Sequence, residues 1–184
     1  MGKIGIIANP SSGKDIRRLV GQALVIGRRE KVNIIKRVLI GAYAVGVREF
    51  CIMPDVSQIG EACIQDLQRQ FPDLVKGVTI LEMDVDDSTQ DSILAAERFR
   101  QAGMDCIVTL GGDGTVRAAS KGSGQTPLLP ISTGTNNVIP AFIEGTIAGM
   151  AAGFFSQMPS HQKNRFVKQH KKIEIWVNGK CVDL

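Results

Sequence analysis

Cys106-Ile107-Val108-Thr109-Leu110-Gly111-Gly112-Asp113-Gly114-Thr115 is an apolar run that ends in three glycines within four positions. The run from Asp105 to Leu110 has the length and the β-branched content of a buried strand. The glycines let the backbone turn sharply and approach another group closely. A strand that passes through a glycine turn into a helix is the repeating unit of a parallel α/β sheet.

The same alternation extends in both directions. Upstream, Lys3–Ala8 reads as a strand and Asn9-Pro10-Ser11-Ser12-Gly13 as a turn. From about Arg29 to Val45, Val32, Ile35, Val38, Leu39 and Ala42 recur at helical spacing. Glu49–Met53 reads as a strand ended by Pro54-Asp55, and Ser57–Phe71 as a helix. Val78–Met83 is a strand, and Asp87 or Ser88 caps a helix that runs to about Ala102. Downstream, Leu128–Ser132 is a fifth strand, followed by a largely apolar segment from Val138 to Met158. Five such units in about 158 residues predict an α/β fold. The expected form is a three-layer, Rossmann-like parallel sheet with helices on both faces. Ligands of such sheets sit at the carboxyl ends of the strands. The places to look are therefore residues 9–15, 54–57, 84–88, 111–115 and 132–137.

The chain has 184 residues, 43% of them hydrophobic and 22% charged, which excludes a disordered protein. Its net charge of +4 is unevenly placed. Residues 1–160 hold 16 Lys+Arg and 16 Asp+Glu, so the whole surplus lies in the last 24 residues. The charge balance then does not support a nucleic-acid-binding face on the main body, and no nucleic-acid partner is expected. Contact through the basic stretch Lys163, Arg165, Lys168, Lys171 and Lys172 is a weak alternative to a solvated linker. Met1–Ile7 lacks the features of a signal peptide. Cys51, Cys63, Cys106 and Cys181 are isolated, as expected of reduced thiols in a cytoplasmic protein. Gly145, Gly149 and Gly153 repeat at four-residue spacing within Val138–Met158. That stretch reads as a buried helix lying close to a neighbour rather than as a membrane span.

Three loops have the residue types that bind phosphate. Gly111, Gly112, Gly114 and Thr115 open a helix whose first N–H groups and positive dipole end suit an anion. Asp113 among them would repel phosphate unless it holds Mg2+ or deprotonates an attacking hydroxyl. A tight turn with a capping aspartate explains the same residues. Ser132-Thr133-Gly134-Thr135-Asn136-Asn137 offers hydroxyl and amide partners, and Asn136 or Asn137 can alternatively cap the next helix. Asn9 and Lys14 lie in the first loop. That loop is not a Walker A sequence, because Asn9 stands where spacing and glycine both fail, and Asp15 follows Lys14. Asp84–Asp91 is not an EF-hand loop, since Thr89 and Ala95 occupy its glycine and glutamate positions. Helix capping accounts for most of that acidic run, with Asp91 a minor candidate for the cleft. No metal-ligating residue is assigned.

The GGDGT loop, about 20 residues ahead of Pro130–Asn137, resembles the NAD kinase and diacylglycerol kinase superfamily. The Asn9-Pro10 turn is similar to that superfamily's opening loop. Ser132–Asn137 with Glu144-Gly145-Thr146 after it is most similar to the ATP-NAD/AcoX kinase group, the acetoin-catabolism X proteins. The resemblance implies an ATP-dependent kinase using Mg2+, with NAD or a related hydroxyl compound as acceptor. It assigns Asp113 to activating the acceptor hydroxyl. By the same resemblance Gly111, Gly112, Gly114 and Thr115 are expected to bind phosphate, and Gly134, Thr135 and Asn137 to correspond to the family's Gly-Thr-x-Asn loop. The wording of that second loop departs from the usual NAD kinase form. A non-catalytic nucleotide-binding or regulatory protein of acetoin catabolism is the alternative.

The resemblance also implies a β-sandwich after the last helix. Lys172–Val177 alternates with period two, and Asn178-Gly179 is a strong hairpin signal. The expected division is an α/β nucleotide-binding domain over 1–159, then a basic linker and first hairpin of a truncated β-rich domain over 160–184. Such a piece is expected to be inactive alone. The unpaired hairpin edge predicts a homo-oligomer, and with Val138–Met158 read as a buried helix no membrane partner is expected.

Overall fold

The computed structural model describes residues 2–10, 26–134 and 137–183. Five strands form one parallel sheet: β1 (Lys3–Ala8), β2 (Glu49–Ile52), β3 (Val78–Ile80), β4 (Cys106–Gly111) and β5 (Leu128–Ser132). Their order is β3-β2-β1-β4-β5. The strands are joined by α1 (Arg28–Ala44), α2 (Ile59–Leu67), the single turn α3 (Pro72–Val75), α4 (Thr89–Gln101) and α5 (Asp113–Ser123). Helix α6 (Gly145–Gln157) follows β5. The expected α/β fold with helices on both faces is present.

Alternation along β1 explains the two faces. Ile4, Ile6 and Ala8 enter one core with Ile35, Val38 and Leu39 of α1, Cys63 of α2 and Ala148 of α6. Ile7 enters the other with Ala95 and Phe99 of α4 and Ala119 of α5. Gly5 faces Phe99, and a Cβ there would lie 2.6 Å from the ring. Every residue of β4 is buried, as its continuous apolar run requires.

The glycine stripe of α6 packs against α1. A Cβ on Gly149 would sit 2.1 Å from the Val38 carbonyl oxygen, and one on Gly145 2.8 Å from that of Ile34. Gly41 of α1 reciprocates against the Thr146 carbonyl. The helix is shorter than the apolar segment, because Pro140 precedes it and Glu144 caps it. Glu144 Oε2 accepts the N–H groups of Thr146 and Ile147 at 2.7 and 3.1 Å. Among the described residues no helix is long and apolar enough to cross a membrane.

Several boundaries differ from the sequence expectation. Strand β3 stops at Ile80, and the helix expected to reach Phe71 ends at Leu67, with α3 started by Pro72. Ser88 is the cap of α4, its Oγ accepting Gln90 N–H at 3.1 Å. The basic segment contains one helical turn, α7 (Ser160–Lys163), in which Lys163 pairs with Asp105. The hairpin consists of β6 (Ile175–Val177) and β7 (Lys180–Asp183). Its turn residues Asn178 and Gly179 have φ of 49° and 75°, as the Asn-Gly signal demands. Asp183 pairs with Arg117 and Lys121 of α5.

Candidate functional site

The sheet order puts a topological switch point between β1 and β4. From β1 the chain winds outward through β2 and β3, then returns to the other side of β1 as β4. The helices diverge there, leaving a crevice at the carboxyl ends of the two strands. Asn9 and Pro10 leave β1 at that point, and Gly112 and Asp113 leave β4 beside them. The loop after β5 borders the same rim, because β5 pairs with β4 up to Gly111↔Ser132.

Hydrogen bonds join the three loops. Asn9 N–H donates to the Leu110 carbonyl at 3.2 Å, and Asn9 Nδ2 donates to Thr115 Oγ1 at 3.2 Å. Thr133 N–H donates to the Gly111 carbonyl at 3.2 Å. Asn137 Nδ2 donates to Ser132 Oγ at 2.7 Å and to the Gly134 carbonyl at 3.3 Å. Asn137 thus folds its loop back on β5 and does not cap α6; that is Glu144's role. Thr135, Asn136 and Lys14, also singled out from the sequence, lie outside the described residues.

The glycines of the β4 loop differ in what fixes them. A Cβ on Gly111 would be 2.2 Å from Thr115 Oγ1, so packing alone forbids a side chain. At Gly112 it would meet only the tip of Asn137, at 2.9 Å. At Gly114 it would meet nothing within 4 Å. Gly112 is the N-cap of α5, and no side chain caps that helix.

Asp113 is half-buried and does not cap its own helix, as the turn-with-cap alternative required. Its carboxylate reaches across to the β5 loop. Oδ1 and Oδ2 accept Val138 N–H at 3.1 and 2.9 Å, and Oδ1 accepts Ile139 N–H at 2.9 Å. The carboxylate closes a clasp between residues about 25 apart in the chain, a contact that local spacing does not reveal.

Asn9, Pro10, Met53, Asp55, Asp87 and Asp91 surround a crevice of only about 10 Å³. Asp91 accepts the Asp86 N–H there. Asp55 is buried, and that burial pushes its carboxyl above the usual carboxylate range, opposed by bonds from Ile59 and Ser57 N–H. Among the described residues no three His, Cys, Asp or Glu side chains gather as a metal cage. The single Asp113 carboxylate suits a Mg2+ that arrives on phosphate, since that ion commonly takes one or two carboxylates plus phosphate oxygens.

Sequence reasoning passed over Lys31. It occupies the core-facing stripe of α1 with Ile34, Ile35 and Val38, and is 2% exposed. A lysine in an apolar slot of a helical pattern is the signal that points to it.

Over residues 4–158 the chain matches the ATP-NAD kinase N-terminal domain. It is 39% identical over 176 residues to Acetoin catabolism protein X of Cupriavidus necator, an alignment that covers 94% of this chain and 48% of that protein. The chain therefore spans about half the length of this curated relative. A parallel sheet whose glycine-rich β4 loop meets the β1 and β5 loops at the switch point agrees with that match, and the chain belongs to the ATP-NAD kinase family.

Proposed function

We propose that this chain supplies the phosphate-binding half of an ATP-dependent phosphotransferase acting on the 2′-hydroxyl of NAD or of a related acceptor. The observation that carries the reading is the convergence of Asn9, the Gly111–Thr115 loop and, after β5, Thr133, Gly134 and Asn137 on one rim, with Asp113 between them. The α5 N-terminus and the open space at Gly114 favour an approaching triphosphate. Mg2+ carried by the nucleotide would neutralise phosphate charge, and in this reading the Asp113 carboxylate is kept for the proton rather than the metal. For transfer, Asp113 accepts the proton of the acceptor hydroxyl. The acceptor oxygen then bonds to the γ-phosphorus as its bond to the β-bridging oxygen breaks, and ADP leaves. The base role requires that Val138 and Ile139 N–H release at least one carboxylate oxygen.

A second reading has its own support. Both Asp113 oxygens are engaged by backbone N–H groups, as in a structural clasp, and the relative is named for acetoin catabolism. On that reading the protein binds nucleotide and transfers nothing. We also read residues 160–184 as the joint to a second, β-rich unit that completes the cleft. The β6–β7 hairpin and the relative's greater length support this. The protein is then cytoplasmic and oligomeric through that unit's edges.

The test is phosphoryl transfer from ATP to NAD by the full-length protein and its Asp113→Asn variant. The kinase reading expects turnover that falls by at least about 100-fold in the variant, while ATP still binds. Equal turnover contradicts it. Binding without turnover in the unsubstituted protein favours the second reading.

A further inference from the structure

Among the described residues Lys31 is the largest buried charged side chain, in a slot of α1 whose neighbours are apolar. It is 2% exposed, on the apolar face of α1. Burying an ammonium group costs several kcal/mol unless hydrogen bonds replace its water. It also lies in the first turns of α1, beside Arg28 and Arg29, where the helix dipole disfavours a cation. A residue that breaks two local rules at once marks a functional position.

Its contacts say which function. Lys31 Nζ donates to the carbonyl oxygens of Asn9 at 2.8 Å and Pro10 at 3.0 Å. These are the two residues that leave β1 at the switch point. Two successive carbonyls drawn back onto α1 remove from the outer side of the turn the acceptor oxygens that would repel an anion. The ammonium places a positive charge behind the same turn. The turn is in turn tied to the β4 loop through Asn9, which donates to Leu110 and Thr115. A displacement at Lys31 therefore reaches the GGDGT loop through one residue.

We propose that Lys31 is a positioning residue for polyphosphate binding: its ammonium sets the Asn9-Pro10 turn in an anion-accepting form and fixes it against the β4 loop. This rests on the nucleotide reading above and adds a residue to it. Lys31 need not touch the phosphate.

The experiment is calorimetric titration of the full-length protein with Mg·ATP, comparing the unsubstituted chain, Lys31→Met and Val32→Ala. Val32 is also buried at the same end of α1, and its apolar side chain has no donor for the turn's carbonyls, so its variant reports destabilisation alone. The expected result is at least 10-fold weaker ATP binding in Lys31→Met with a cooperative melt retained, and less than twofold change in Val32→Ala. ATP binding by Lys31→Met as tight as the unsubstituted protein's overturns the proposal, as does an equal loss in Val32→Ala. No ATP binding by the unsubstituted protein overturns the nucleotide reading itself, which is a different failure. If Lys31→Met does not fold, the ammonium is followed directly in the unsubstituted protein by lysine Nζ nitrogen-15 resonances. A solvent-protected signal that shifts as ATP is added supports the proposal, and a protected signal that does not move overturns it.

Discussion

Asp113 and its neighbouring glycines are the residues we propose for the chemistry, and the glycines separate into those held by packing and those left open. Gly114 is a helix position with space around it, so Gly114→Ala is expected to stabilise the fold by about 0.5–1 kcal/mol, as alanine does in helices. The same methyl group would intrude where a phosphate approaches α5, so ATP affinity is expected to fall. Gly111→Ala is the opposite case, because its methyl would collide with Thr115; a loss of about 1–3 kcal/mol is expected. Urea unfolding of both variants checks the contrast, and equal effects would contradict it. The role of Asp113 as a candidate was legible in its glycine setting. Its clasp on Val138 and Ile139 was not, since it depends on how two loops meet across the β4–β5 edge.

The buried thiols give a pH dependence of stability. Burial pushes Cys63 and Cys106 up to about 12, from an ordinary value of 9.0. Between these limits the unfolded chain releases both protons and the folded chain keeps them. Stability is therefore fully present below about pH 9 and falls as pH rises, by about 1.4 kcal/mol per pH unit for each thiol. The double variant Cys63→Ala, Cys106→Ala is expected to show a shallower decline in urea unfolding above pH 9. An unchanged slope would show that the thiols do not titrate this way.

At the scale of elements, the α1–α6 contact follows from the glycine stripe, which brings two backbones within reach of each other. Gly149→Ala would drive a methyl into the Val38 carbonyl, backbone against side chain with no rotamer to relieve it. A loss of at least about 1–3 kcal/mol is expected, read as a drop in Tm, and a neutral result would contradict the close packing. The stripe was legible because period four marks one helix face. The start of α6 was not, since apolar residues run on through Val138–Ile143, and only Glu144, reaching the Thr146 and Ile147 N–H groups, sets where the helix begins. Lys31 was missed for a related reason: a helical pattern identifies the slot, but only the fold shows what the slot faces.

For the whole molecule, the order β3-β2-β1-β4-β5 decides where function can lie. The alternation of strands and helices was readable from the chain, because each strand carries its own apolar run and turn residues. The order was not, because every strand is apolar enough to be central, and only pairing distinguishes β1 from an edge. With the order known, the β1, β4 and β5 loops share a rim, while Asp55, Asp87 and Asp91 line a narrow crevice on the β2–β3 side. We propose that this rim binds the phosphates of a nucleotide. Amide hydrogen exchange with and without Mg·ATP on the full-length protein tests it most directly. Slowed exchange is expected in peptides covering residues 9–10, 111–115 and 132–137, with the β2–β3 loops unchanged. Exchange unchanged in those three loops at saturating ATP, or slowed only elsewhere, would contradict it.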